Sequence, residues 1–358
     1  MFKNIPKGDL MEDIYISKRR QNTADFELTN LEMPPEPPRK QNPPPKKKKK
    51  RGLFKTIALI LALVFVFSSV FIFVFAAASG YTRNDLDKNE YVSSFELKSS
   101  PLVSNILLMG VDGSADSASR SDSMILVSLD YKHMKIKLTS FLRDSWVEIP
   151  SKGKKAKLNA ACTYGGPQLV IDTIEYNFGV DIDHYVMVDF EMFTNIIDSL
   201  GGIDVEVTQK EAKFINRTTR HTVDYGENVH LNGAEALVYC RIRKLDSDYM
   251  RTYRQRKVIT SLIGQAKSAG IGKLISTMQD VFPMIQTDMS AAEITGLAYK
   301  GGFGMLAFDI EQNRVPTDDH MHPDTINGQW VEVVDIDATK DYLREYIYTN
   351  NIVIEEDE

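Results

Sequence analysis

The feature that most constrains this chain is an uncharged apolar run at residues 56–80, TIALILALVFVFSSVFIFVFAAASG. At about 1.5 Å per residue, a helix of that length spans the roughly 30 Å hydrocarbon core of a bilayer. A soluble helix apolar on every side would need burial all round. The run closely follows six consecutive positive residues, Lys46 to Arg51. Positive flanks stay on the cytoplasmic side. The pattern therefore predicts a single-pass type II anchor in the cell membrane, with everything from about residue 81 outside. A cleaved signal peptide fits poorly, because the segment before the run is too long and the run exceeds an ordinary signal core. Only Ala76-Ala77-Ala78-Ser79 resembles a cleavage site.

The anchor divides the rest. Residues 1–55 read as a disordered, basic, proline-rich cytoplasmic tail: eight prolines fall there, and no apolar period is present to build a core. The chain's net charge is −6, yet residues 1–52 hold 13 Lys and Arg against 7 Asp and Glu, so the outer part is strongly acidic. A nucleic-acid binder would place positive charge on its folded part, and no helix-turn-helix pattern appears in the tail. The tail reads instead as a segment held at an anionic inner leaflet. Residues 81–100 are polar and read as a juxtamembrane linker. Residues 101–350 are enough for one large domain. The chain has two cysteines, Cys162 and Cys240, with no zinc-ligand spacing around them.

Within the outer part, short strand-like runs at 105–109, 124–130, 135–141 and 146–149 end at turn residues. Residues 135–139 alternate as a half-buried strand does. Helical patterns follow at 166–178, 190–200, 232–241, 249–269 and 338–348, with strands at 184–189, 203–207, 305–310 and 330–334 between them. Ser290 to Glu293 forms a capping box. Alternating strands and helices predict an α/β domain with helices on a central mixed sheet.

Charge is out of place between Arg241 and Arg256, where five arginines and a lysine crowd an otherwise acidic domain. Arg241 and Arg243 point the same way if extended. Asp248, Arg251 and Gln255 share one face of a helix. A solvated helix with short-range ion pairs would explain such a run. An anion clamp would too, since the guanidinium fork matches phosphate oxygens. Two further segments favour the clamp. Asp112 and Asp122 lie at adjoining ends of neighbouring strands, a donor set suited to Mg²⁺. Arg143 stands at another strand end, the usual place for function in α/β sheets. The sequence carries no GxSxG, HExxH or P-loop motif.

In order along the chain, NILLMGVD, SRSDSMILVSLD, SFLRDSWVEIP, KLNAACTYGG, SLGGIDVEV and LNGAEALVYCRIRK…SDYMRTYRQRKVI resemble the LytR-CpsA-Psr family of cell-wall glycopolymer transferases. The resemblance implies a three-layer α/β/α domain with a pocket for a polyprenyl chain. It implies transfer of a phosphorylated glycopolymer, such as teichoic acid or capsular polysaccharide, from an undecaprenyl-pyrophosphate carrier to peptidoglycan in a Gram-positive type of envelope. Carried over residue by residue, Asp112 and Asp122 match the Mg²⁺ acids. Arg120, Arg143, Arg241 and Arg243 match the pyrophosphate arginines. Asp248, Arg251 and Gln255 match the helix that closes the site, and Lys157 lies in the KLN segment. Within that frame Arg143, Arg241, Arg243 and Asp248 are the catalytic candidates. A hydrolase acting on the same lipid, or a membrane-bound transcriptional attenuator, are the alternative functions. Cys162 and Cys240 fall in motifs that converge on the site, either as a disulfide or as two buried thiols.

Overall fold

The computed structural model describes residues 51–78, 80–112 and 120–349. Residues 1–50 of the expected tail lie outside the described residues. Helix α1 (Arg51–Ala78) covers the apolar run. Among the described residues no helix is long and apolar enough to cross a membrane.

The chain continues through β1 (Thr82–Arg83), β2 (Val103–Val111), β3 (Ser121–Asp130), β4 (Lys135–Phe141), β5 (Ser145–Ile149) and β6 (Lys154–Lys157). Next come α2 (Ala160–Phe178), β7 (His184–Val188), α3 (Phe190–Leu200), β8 (Ile203–Val207), α4 (Gln209–Thr219), β9 (Gly226–Leu231) and α5 (Gly233–Cys240). Then follow α6 (Asp248–Ser268), α7 (Ile271–Val281), β10 (Gln286–Thr287), α8 (Ala291–Ala307), β11 (Asp309–Val315), β12 (Met321–Ile326), β13 (Gln329–Val334) and α9 (Ile336–Tyr348).

A seven-stranded mixed sheet in the order β1-β10-β7-β2-β3-β4-β11 is the frame. β3 pairs antiparallel with β2 and β4, while β7 joins β2 and β11 joins β4 in parallel. Both faces of its centre are buried, and the period of two decides which residue serves which face. Leu107, Met109, Met124 and Leu126 pack under α2 and α9; Ile106, Ile125, Leu129 and Leu138 pack under α6 and α8. Three layers result. A second core lies among α3 to α6 and the small β8-β9 sheet, and a four-stranded sheet, β12-β13-β5-β6, completes the domain.

The linker is laid against this frame. β1 pairs with β10, the Lys98 amide donates to the Gly179 carbonyl at 3.0 Å, and the Asp181 amide donates to the Lys98 carbonyl at 3.1 Å. The helix expected from residue 166 begins instead at Ala160 and is broken at Gly165 and Gly166, where Gly166 takes φ 65°. The strand expected at 305–310 is replaced by the end of α8, and β11 starts at Asp309. A short apolar run does not tell helix from strand. α4, α7 and the strands β1, β6, β9, β10 and β12 have no counterpart in the sequence reading.

Candidate active site at the arginine end of an apolar cavity

The site is assembled where the chain leaves the centre of the large sheet. Gly110 lies beside a register shift in β2, and a Cβ there would meet the Ser123 Cβ at 3.1 Å. Past it, Asp112 follows the end of β2, and Asp122 is the second residue of β3. Arg143 and Asp144 form the turn from β4 into β5. Arg241 ends α5 as its C-cap, and residues 241–247 are irregular up to Ser247, the N-cap of α6, whose hydroxyl accepts from the Met250 amide. Asp248 is therefore in the first turn of α6, where the helix dipole favours a carboxylate.

These segments converge on Asp122. Arg143 Nη1 donates to Asp122 Oδ1 at 2.8 Å and Arg243 Nη2 donates to Oδ2 at 3.1 Å. Arg251 Nη2 donates to the Asp122 carbonyl at 3.1 Å and to Asp248 Oδ2 at 3.0 Å. Arg143 Nε lies 3.3 Å from Asp144 and 3.5 Å from Asp248. Ser123 donates to Gln255 Oε1 at 3.0 Å. Arg241 lies over the Phe190 ring at 4.3 Å, with Asp112 3.9 Å away.

The solvated-helix reading of the arginine run fails here, because Arg251 and Arg254 are each 2% exposed. They do different work. Arg254 is held by Glu211 and Asp246 within the second core, away from the cavity wall. Arg251 lines the cavity, and among the described residues its Nε and Nη1 have no hydrogen-bond partner. Burial pushes the Arg251 guanidinium down to about 10. Burial would raise the Asp122 carboxyl, but the hydrogen bond from Arg143 and the charges of Arg143, Arg243 and Arg251 outweigh it and hold it below the ordinary carboxylate range. For Asp248 burial wins over Arg251 and Arg143, and its carboxyl is raised.

The cavity, about 420 Å³, runs from these charges down between the sheet and helices α3, α5 and α6. Its far wall is apolar: Leu108 and Ile125 from the sheet, Phe193 and Ile196 from α3, and Ile259 and Leu262 from α6. Asp112, Asp122, Arg241, Arg243, Arg251 and Gln255 lie on the wall itself. Arg143 and Asp248 stand one contact behind it. Lys157 is further back, with Nζ bound to Asp144 at 2.7 Å. Arg120 is exposed just before β3. The apolar lining was not legible in the sequence, because it follows the same periodicity as the core. Tyr249 and Glu332, hydrogen-bonded at 2.9 Å beside Asp248, were missed for lack of any motif.

The two cysteines are free and buried. They belong to different cores, Cys162 in the first turn of α2 and Cys240 at the end of α5 beside the cavity, so the disulfide alternative is corrected to two thiols. Burial pushes Cys240 up to about 12, and a thiol in that state behaves as a small apolar group. Among the described residues no group of three His, Cys, Asp or Glu is placed to hold a metal ion.

Comparison with known proteins bears on this geometry. The model described as the LytR_cpsA_psr family matches residues 69–345. The polyisoprenyl-teichoic acid–peptidoglycan teichoic acid transferase TagU of Halalkalibacterium halodurans is 36% identical over 189 residues, 52% of this chain and 60% of that protein. TagU of Bacillus mycoides is 33% identical over 267 residues, 72% of this chain and 82% of that protein. Among solved structures, TagT bound to LIIa-WTA superposes with a TM-score of 0.61 at 25% identity, over 75% of this chain and 99% of that one. The chain thus spans about 60% of the first TagU, less than two thirds, and most of the second. Since the family match takes in every strand of the central sheet and every charged group of the cavity, the chain belongs to the LytR_cpsA_psr family.

Proposed function

We propose that this protein transfers a phosphorylated glycopolymer of teichoic-acid type from a polyprenyl-pyrophosphate carrier, of undecaprenyl class, to peptidoglycan. The observation that carries the reading is one cavity with an apolar wall at one end and Arg241, Arg243 and Arg251 at the other. A long prenyl chain needs the first and a pyrophosphate the second. The names of the TagU relatives support the same reaction.

In that reaction an acceptor sugar hydroxyl attacks the phosphorus bearing the glycan, and the bond from that phosphorus to the bridging oxygen breaks. Prenyl phosphate leaves, and a phosphodiester joins glycan to wall. Catalysis of this kind is mainly positioning and stabilisation of charge on the phosphoryl oxygens. Arg241 and Arg243 face the cavity with both side chains about half exposed, ready to bind. Arg143 and Arg251 fix Asp122 and Asp248 in place. Asp248, its carboxyl raised by burial, is suited to take the hydroxyl proton.

Asp112 and Asp122 would hold a Mg²⁺ ion. The Asp112 side chain is 56% exposed, with only Arg241 near it at 3.9 Å among the described residues, while both Asp122 oxygens are engaged by arginines and one would have to be shared. When bound, such an ion would neutralise pyrophosphate charge, with water and phosphate oxygens completing its shell. Helix α1 would anchor the protein with the domain outside. Val64, Phe65 and Val74 on it are each more than half exposed, which lipid would cover.

The experiment is a transfer assay with the full-length chain in detergent, a polyprenyl-pyrophosphate glycan labelled in the sugar, and peptidoglycan, with and without Mg²⁺. Metal-dependent label in the wall fraction is the expected result. Soluble glycan phosphate with none in the wall would mean a hydrolase. Bound lipid with no turnover would end the enzyme reading.

A further inference from the structure

In the proposed reaction the pyrophosphate lies at the arginine end of the cavity, so an acceptor hydroxyl has to arrive there. Next to that end, behind Asp144 and Tyr249 and not on the cavity lining itself, the β12–β13 hairpin forms an outer wall. The Glu332 amide of β13 donates to the Asp144 carbonyl at 3.0 Å, tying the hairpin to the turn that carries Arg143. The Glu332 carboxylate accepts from the Tyr249 hydroxyl at 2.9 Å, tying it to the start of α6 beside Asp248. The Arg314 guanidinium packs over the Tyr249 ring at 4.4 Å. Held at two site segments, the hairpin is a fixed wall rather than a swinging one.

β13 pairs with β5 only at Glu332 and Val333, opposite Ser145 and Trp146. Its first residues, Gln329 to Val331, run on past the start of β5, alongside the point where the chain turns through Arg143 and Asp144. Side chains alternate along a strand, so Trp330 faces the same way as Glu332. Glu332 is 2% exposed, and its Oε2 has no hydrogen-bond partner among the described residues; Trp330 is 49% exposed. The wall thus carries a buried polar group at its base and a flat apolar ring at its rim. A pyranose presents the complementary surface, with hydroxyls at the edge and an apolar ring face. A lone exposed aromatic is ordinary on a protein surface. The double tie to the site and the shared facing with Glu332 set Trp330 apart from that case.

We propose that the β12–β13 hairpin forms an acceptor subsite in which Trp330 stacks on a sugar ring of the peptidoglycan glycan strand. The inference rests on the transferase reading and names where its second substrate docks. The donor's own glycan offers the same ring chemistry, so the test separates the two sources.

The test uses the full-length chain in detergent. The sequence holds two tryptophans, Trp146 and Trp330, and Trp146 is partly buried. Soluble peptidoglycan oligosaccharides should produce a saturable change in tryptophan emission that is lost in Trp330→Phe. In the transfer assay Trp330→Ala should raise the acceptor KM about tenfold, leave donor KM and the saturating rate within about twofold, and be largely rescued by Trp330→Phe. An emission signal indifferent to oligosaccharide, or an unchanged acceptor KM in Trp330→Ala, would overturn the proposal. So would a rise in donor KM with acceptor KM unmoved, which would assign the ring to the donor glycan. The emission titration needs no turnover, so it decides the subsite even where transfer itself fails.

Discussion

Within the run from Arg241 to Arg256, neighbouring arginines have opposite tasks, and the difference is testable. Arg251 donates to the Asp122 carbonyl and the Asp248 carboxylate from Nη2 alone, which leaves Nε and Nη1 of the same planar fork unmatched among the described residues. Lysine keeps the charge but not the fork, so Arg251→Lys is expected to cut transfer about 100-fold. Arg254 bridges Glu211 and Asp246 inside the second core. Arg254→Met is expected to lose about 3–5 kcal/mol of stability, while transfer per folded molecule holds. Denaturant titrations and single-turnover rates on both variants check the contrast. The sequence showed that charge was misplaced here and that Asp248, Arg251 and Gln255 share a face. It did not show which arginines look into a cavity, because that depends on where α5 and the large sheet stand. A second residue-scale prediction concerns Glu175, 5% exposed under the linker, with Asn89 and the Ile182 amide donating to it. Burial pushes its carboxyl up to about 7. The folded state therefore favours the protonated form. The stability this gives is complete below the ordinary glutamate range and is lost as pH rises through about 7, a change of about 3 kcal/mol. Asp172, Asp181 and Asp183 nearby are raised in the same sense. Melting temperature should fall between pH 5 and pH 8, and Glu175→Gln should flatten that slope. A slope unchanged in the variant would remove Glu175 as its cause.

Elements were legible where periodicity and caps agreed. β4 was found from the alternation of 135–139, although it is buried on both faces and its Lys137 is held by Asp130 and the Tyr346 and Ile347 carbonyls rather than by water, and the Asn232 and Ser290 capping boxes open α5 and α8. α4 was missed although it has the same signal, Thr208 with Glu211, because only Ala212 and Ile215 among its apolar residues are fully buried. The strand placed at 305–310 failed because the apolar run there closes a helix that glycines had made look broken. β12 was missed because its exposed residues show no alternation. α5 has a constraint that sequence could not display: at Gly233 a Cβ would lie 2.4 Å from the Thr194 carbonyl oxygen of α3. Gly233→Ala must push α5 from α3, at a cost of about 1–3 kcal/mol. Since both helices line the cavity, donor affinity should fall along with the melting temperature. A variant as stable as the parent would show that the two helices can part freely.

For the whole molecule, the prediction that reaches furthest from the site concerns α1. Tyr299 of α8 stacks near Phe65 at 4.8 Å between ring centres, and Phe282 meets Phe75 at 5.6 Å, while other large side chains of α1 stay open. The full chain should remain with membranes through an alkaline carbonate wash, whereas a chain cut after residue 80 should not. Release of the full chain by the wash would remove the anchor. The buried Arg251, with donors at Nε and Nη1 unmatched among the described residues, has one last consequence. A protein that keeps a half-satisfied cation under cover folds below the stability its own sequence could reach, and the shortfall is recovered only by a guest that supplies acceptors. Whatever anion completes the set binds the native state alone, so occupancy and folding are coupled. A prenyl pyrophosphate should therefore raise the melting temperature in proportion to the logarithm of its concentration, and Arg251→Met should abolish most of that rise. The resting domain would then be most vulnerable to unfolding when its substrate runs out.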